Sequence, residues 1–181
     1  VDDLDLLRSL PARDRIAGMA EAVKVALVRD RDFFERLEVL RGPLARFEPE
    51  AVEEMIRRTA TLHLEHIAGG GDPFELGSAR PLDFGHWSAH ALEEATAGGL
   101  RHGEAVAIGM ALDCGLARRL GLLSPAEEAR VLRLLADLGL PRWHPALAEL
   151  DLEAALERFR EHLGGGLCLT LQHLIRIHRD D

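Results

Sequence analysis

Apolar residues recur three and four positions apart along most of the chain, which is the spacing of one face of an α-helix. Over residues 12–28 they are Ile16, Met19, Ala20, Val23 and Leu27. The same spacing predicts helices over residues 32–40, 49–67, 86–97 and 151–162. The helix over 49–67 is expected to stop at the three glycines that begin with Gly69.

One further segment, residues 102–120, is apolar nearly all round, so we expect the buried central helix there. Ser124 and Pro125 predict the start of another helix, because Ser is a good N-cap and Pro suits the first helical position. Residues 71–84 are rich in turn-forming pairs and are expected to form a loop, and only 167–171 has the pattern of a strand. The fold class predicted is mainly α, a helical bundle forming one domain over residues 1–181.

Composition narrows the class of protein. The chain has 181 residues, of which 47% are hydrophobic, and a net charge of −9 that argues against a general nucleic-acid surface. Its two cysteines are too few for a disulfide scaffold. The first residues are acidic where a signal peptide would be basic, and no apolar run reaches the ~18 residues of a membrane span. We expect a cytoplasmic protein with no nucleic-acid or membrane partner; whether it is a piece of a longer protein is open.

Histidines cluster in two neighbouring motifs. His86 and His90 stand one helical turn apart, so their imidazoles point the same way. His102 follows, after a pair of glycines that lets the chain turn back. Three imidazoles can therefore converge at the starts of two adjacent helices, and imidazole and carboxylate are natural ligands of zinc. A surface pair or a satisfied core histidine is the alternative that the spacing leaves open.

A second charged group lies upstream. Glu21 and Lys24 stand one turn apart on a helix otherwise lined with small apolar residues. Charged side chains in such surroundings are rarely buried unless they are paired or bind a metal. The alternative is a local ion pair on a solvated edge of the helix.

Taken together, three segments resemble the C-terminal domain of 3-dehydroquinate synthase and its relatives, the sugar-phosphate cyclases. They are Gly18-Met19-Ala20-Glu21-Ala22-Val23-Lys24, then Phe84-Gly85-His86-x-x-x-His90, then His102-Gly103-Glu104-Ala105-Val106-Ala107-Ile108-Gly109-Met110. More distantly, the resemblance extends to glycerol and iron-dependent alcohol dehydrogenases. A metal-dependent polyol dehydrogenase and a non-catalytic interaction module derived from the family are therefore the alternative functions.

The resemblance implies an NAD-assisted phosphate elimination and aldol cyclisation of a heptulosonate or heptulose 7-phosphate. It implies metal ligands Glu21, His86 and His102, with zinc expected before cobalt, and Lys24 beside the metal. The other residues it implies are His90 near the substrate phosphate, Glu75 in a substrate loop, and Ser9 at the nucleotide. The chain has no glycine-rich nucleotide turn, so NAD is expected to bind mainly to an N-terminal domain absent from it, leaving the isolated chain inactive. A homodimer is left open.

The match departs from the family in the substrate shell. Asp83 stands where the family has Asn, and the family's substrate-binding Arg falls at Ala79, one residue before Arg80. A second basic position falls near Glu65, and near the tail Arg160 or His162 replaces a phosphate-binding Lys. Because carboxylate recognition favours cations, these changes predict an altered substrate, with heptulose phosphates that lack a carboxylate as the natural alternative. Trp87 is expected either to narrow the pocket or to pack at the helix start.

Overall fold

The computed structural model describes residues 4–69 and 81–162, and within these ranges the chain forms helices and no strand. The seven α-helices are α1 (Ala12–Arg29), α2 (Arg31–Ala45), α3 (Pro49–Gly69), α4 (His86–Ala95), α5 (His102–Arg119), α6 (Pro125–Asp137) and α7 (Leu152–His162). Short 3-10 helices cover Leu4–Ser9, Pro81–Asp83 and Pro145–Ala148. The predicted mainly α fold class is confirmed. The strand predicted over 167–171 and most of the loop predicted over 71–84 lie outside the described residues.

Capping residues that can be recognised in the sequence set some of the helix boundaries. Ser124 caps α6: its hydroxyl accepts the Glu127 N–H at 3.2 Å, while the Glu127 carboxylate accepts the Ser124 N–H at 2.7 Å. The predicted start of this helix is therefore confirmed. Helix α2 continues to Ala45, five residues beyond the predicted end, with Pro43 inside it. Helix α4 ends at Ala95, two residues earlier than predicted.

Helix α5 is the central element, as its all-round apolar character predicts. It packs against α1, α4 and α6. Its residues from Ala105 to Ile108 and Met110 are fully buried. Helices α1 and α4, which carry the Glu21–Lys24 and His86–His90 motifs, thus both pack against α5.

Helix α7 covers the outer side of α4. Trp87 and Ala91 of α4 form a small apolar cluster with Ala155 and Phe159 of α7. Trp87 is only 7% exposed, so of the two expectations for this residue, packing at the helix start is the one that the structure favours. Across the described ranges, no helix has the length and apolar character needed to cross a membrane.

Candidate metal centre

Helix α1 brings a buried lysine to the site. The Lys24 ammonium lies 2.9 Å from a carboxylate oxygen of Glu21, one turn earlier. The Lys24 side chain is 6% exposed, against 40% for Glu21. The ion pair anticipated from the sequence is therefore present, but its lysine end lies in the interior and not on a solvated edge. Burial of an ammonium group costs free energy that a single ion pair offsets only in part. A lysine kept at such a position is therefore a candidate for a chemical role.

The first residues of α4 and α5 bring the imidazoles together. One ligand atom each from Glu21, His86 and His102 lie within 4.8 Å of one another. The ring centres of His86 and His102 are 5.3 Å apart, and His90 lies 5.7 Å from the first and 6.3 Å from the second. The structure thus brings together five of the predicted site residues: Glu21, Lys24, His86, His90 and His102.

In both candidate histidine ligands, the ring nitrogen Nδ1 faces an oxygen acceptor. Nδ1 of His86 lies 3.1 Å from the Phe84 carbonyl oxygen, and Nδ1 of His102 lies 3.3 Å from each carboxylate oxygen of Glu93. An Nδ1–H facing an acceptor fixes the tautomer and leaves Nε2 with its lone pair for a metal. Glu93 was not selected from the sequence, although a carboxylate seven residues after His86 lies on the same helix face and could have been noticed.

The residues present fit a divalent metal. Glu21 uses one oxygen for Lys24, while its other oxygen, Oε1, is buried and has no hydrogen-bond partner among the described residues. Buried polar atoms are normally satisfied, so an orphan oxygen beside two imidazoles indicates an absent partner. Two nitrogens and one carboxylate oxygen form the donor set of a catalytic zinc site, with a fourth position open.

The electrostatics favour the neutral, metal-binding form of His86. Burial, followed by the positive charge of Lys24, lowers the pKa of His86 to about 4. The imidazole is therefore uncharged near neutral pH, which spares a metal most of the competition with protons at this ligand.

The residues after His102 fix the start of α5 against α1. A Cβ on Gly103 would lie 1.9 Å from the Ala17 carbonyl oxygen, so only glycine permits this contact. Glu104 accepts the Arg101 N–H at 2.8 Å and binds the Arg13 guanidinium, with both nitrogen–oxygen distances 2.6 Å. These bonds lower the pKa of Glu104, the Arg13 hydrogen bond contributing most. The motif therefore places His102 beside the α1 residue Glu21.

The other predicted site residues are not part of the group of candidate metal ligands, or they lie outside the described residues. Ser9 ends an exposed 3-10 helix, and its hydroxyl donates to the Leu6 carbonyl at 2.6 Å. Asp83 is half-buried, three residues before His86. Glu75 and Arg80 lie outside the described residues, and the side chain of His162, at the end of α7, is not described.

Comparison with known proteins identifies the family. A sequence profile described as 3-dehydroquinate synthase C-terminal matches residues 18–162. The 3-dehydroquinate synthase of Methylococcus capsulatus is 40% identical over 173 residues, which is 93% of this chain and 47% of that protein. That of Symbiobacterium thermophilum is 37% identical over 91% of this chain and 46% of its own length. The chain therefore spans about half the length of these curated relatives.

A solved structure agrees with the sequence comparison. ValA, the 2-epi-5-epi-valiolone synthase of Streptomyces hygroscopicus subsp. jinggangensis, was determined with NAD+ and Zn2+ bound. It superposes with a TM-score of 0.86 at 37% identity, covering 94% of this chain and 48% of ValA. Because the profile, the relatives and the shared fold agree, this chain belongs to the 3-dehydroquinate synthase family and matches its C-terminal domain.

Proposed function

We propose that this chain is the metal-binding catalytic part of a sugar-phosphate cyclase, acting jointly with a nucleotide-binding domain. The observation that carries the proposal is the convergence of Glu21, His86 and His102 around an orphan carboxylate oxygen, with Lys24 buried next to it. We assign the metal position to these three ligands, with zinc as the expected ion and cobalt as a substitute.

Each polar side chain has a role that its position supports. When bound, a zinc ion supplies Lewis-acid polarisation of a substrate oxygen. Lys24, held by Glu21 in a water-poor environment, stabilises negative charge that develops on substrate oxygens. His90 is exposed beside the two histidine ligands, so it can hold the substrate phosphate or move a proton there.

The described residues lack the common scaffold of a dinucleotide site. They contain no strand, and hence no strand–turn–helix unit that could cradle a pyrophosphate. Ser9 is the single residue of this chain that we assign to the nucleotide. We therefore propose that NAD binds mainly to residues in the part of the relatives that the chain does not cover, and that the isolated chain is inactive.

The metal assignment is tested by zinc content. Replacing His86 by Ala removes one of three ligands, and two ligands bind far more weakly than three, so His86→Ala should lose bound zinc. His63→Ala is the matched control, because His63 is exposed on α3, outside the group of candidate ligands. Elemental analysis after dialysis measures both. Zinc retained by His86→Ala at the wild-type level would show that the ligand set is wrong.

For the substrate, we propose a heptulose 7-phosphate without a carboxylate. Ala79 and Glu65 stand where the family places cations, and Asp83 adds negative charge where the family has a neutral amide. One lost charge-assisted contact costs about 1.5–3 kcal/mol, so two losses would lower affinity for a carboxylate substrate by about two or more orders of magnitude. The solved neighbour named as a valiolone synthase supports this choice, while the curated relatives bear the other name.

Steady-state assays test the choice of substrate. The chain joined to its nucleotide domain is given sedoheptulose 7-phosphate or 3-deoxy-arabino-heptulosonate 7-phosphate, with catalytic NAD. We expect turnover of the first and a kcat/KM at least about a hundredfold lower for the second. Efficient use of the heptulosonate with no turnover of the heptulose would reverse the substrate assignment while leaving the metal centre intact.

A further inference from the structure

A buried carboxylate outside the metal centre is aimed at the segment that carries His86. Asp113 is 1% exposed on the central helix α5, and one oxygen accepts the Gly85 N–H at 2.9 Å. The other oxygen accepts the Trp87 indole N–H at 2.7 Å. The two donors belong to the residues immediately before and after His86.

The same segment also packs directly against helix α5. Gly85 has a φ of +79°, and a Cβ there would lie 2.9 Å from the Met110 nitrogen. One turn before Asp113, a Cβ on Gly109 would lie 2.0 Å from the Gly85 carbonyl oxygen. The backbone at the start of α4 therefore lies directly against the backbone of α5, and Asp113 of α5 accepts two hydrogen bonds from this segment.

We propose that Asp113 is a positioning residue for the metal ligand His86, acting through Gly85 and Trp87. With both neighbours held, the backbone that carries His86 is fixed in place, and the contact of Nδ1 with the Phe84 carbonyl oxygen directs the imidazole toward Glu21 and His102. The inference rests on the proposed metal centre. A carboxylate is required because each of its oxygens faces a donor and both must accept.

The variant Asp113→Asn tests this requirement at nearly constant volume. An amide has one accepting oxygen, so its NH₂ group must face either the Gly85 N–H or the Trp87 indole N–H. We expect the dissociation constant of zinc to rise about tenfold, measured at pH 8 by competition with a chromophoric chelator. Burial raises the pKa of Asp113 to about 7, so at pH 8 the wild-type side chain is a carboxylate. The visible absorption spectrum of bound Co²⁺ is expected to shift as well, because the ligand geometry changes.

A double variant separates positioning from packing. In Asp113→Asn with Trp87→Phe, no indole N–H faces the amide, so its oxygen is free to accept the Gly85 N–H. We expect zinc affinity to recover to within about threefold of the Trp87→Phe single variant, a non-additive result. If Asp113→Asn alone does not fold, the double variant still tests the proposal by this comparison.

Asp30→Asn is the matched control for loss of fold stability. Asp30 caps α2, accepting the Phe33 N–H at 3.0 Å, and pairs with Arg58, away from the three candidate ligands. We expect a lower unfolding midpoint with zinc affinity within about twofold of wild type. Wild-type zinc affinity in Asp113→Asn, or a double variant no tighter than Asp113→Asn, would overturn the positioning role. A wild-type chain that binds no zinc would instead overturn the metal centre itself.

Discussion

At the scale of single residues, the chemistry of the site depends on which atom of each side chain is already engaged. His86 and His102 each have Nδ1 facing an acceptor, and Glu21 has one oxygen on Lys24. What remains is two Nε2 atoms and one carboxylate oxygen. The residue types follow from the sequence, but the free atoms follow only from the neighbours in space, such as Glu93 and the Phe84 carbonyl.

Glu93 is expected to strengthen metal binding through His102. A carboxylate that accepts from a ligating imidazole raises its basicity and fixes its direction, and loss of such a partner weakens metal affinity about 10–100-fold. Glu93→Gln should therefore raise the zinc dissociation constant about tenfold in a chelator competition. Glu94→Gln is the control, because Glu94 lies one residue further on, with its side chain 72% exposed near Arg158. Equal effects of the two variants would refute a specific role of Glu93.

At the scale of helices, the site depends on how closely α1, α4 and α5 approach. The apolar pattern predicts each helix and the burial of α5, because side-chain periodicity reflects which face is covered. The apolar pattern does not indicate which helix packs against each apolar face. Gly103 and Gly109 are the positions where α5 meets the backbone of Ala17 and Gly85, and those contacts set the distance between ligands.

Two glycine substitutions test this account of the helix contact. Gly103→Ala places a methyl group against the Ala17 carbonyl. We expect this overpacking to lower the free energy of unfolding by about 1–3 kcal/mol and to weaken zinc binding. Gly18→Ala lies in α1 with no atom within 4 Å of the added Cβ, and should stabilise the chain by about 0.5–1 kcal/mol. Urea unfolding measures both. A Gly103→Ala chain as stable as Gly18→Ala would contradict the proposed close contact.

At the scale of the whole molecule, buried groups with shifted pKa values couple stability to pH. Burial raises the pKa of Asp113 to about 7, whereas burial and Lys24 lower that of His86 to about 4. As pH falls from 6.5 to 4, the unfolded chain gains a proton at His86 that the folded chain does not, which lowers the free energy of unfolding. Asp113 acts in the opposite sense, because its folded form binds a proton from about pH 7 downward.

The contribution of His86 can be isolated in the metal-free chain. His86→Gln removes the imidazole, so the unfolded chain no longer gains the proton that favours unfolding at low pH. The free energy of unfolding of this variant, relative to wild type, should therefore rise as pH falls from 7 to 4. Urea titrations in the presence of a chelator at pH 7, 5.5 and 4.5 measure the difference. A difference independent of pH would mean that the pKa of His86 is not lowered in the folded chain.

By itself, the sequence determined the helical class, the burial of α5, the capped start of α6 and the family, because periodicity, caps and motif spacing are local properties of the chain. It also selected Glu21, His86 and His102, whose side-chain types carry the metal chemistry. Only the tertiary structure decided that Lys24 is buried and that Trp87 packs toward α7. It also decided that Glu93 faces His102 and that Asp113 accepts hydrogen bonds from the residues on either side of His86. These features depend on contacts between helices distant in sequence, where shape and hydrogen-bond partners, not periodicity, decide which atoms meet.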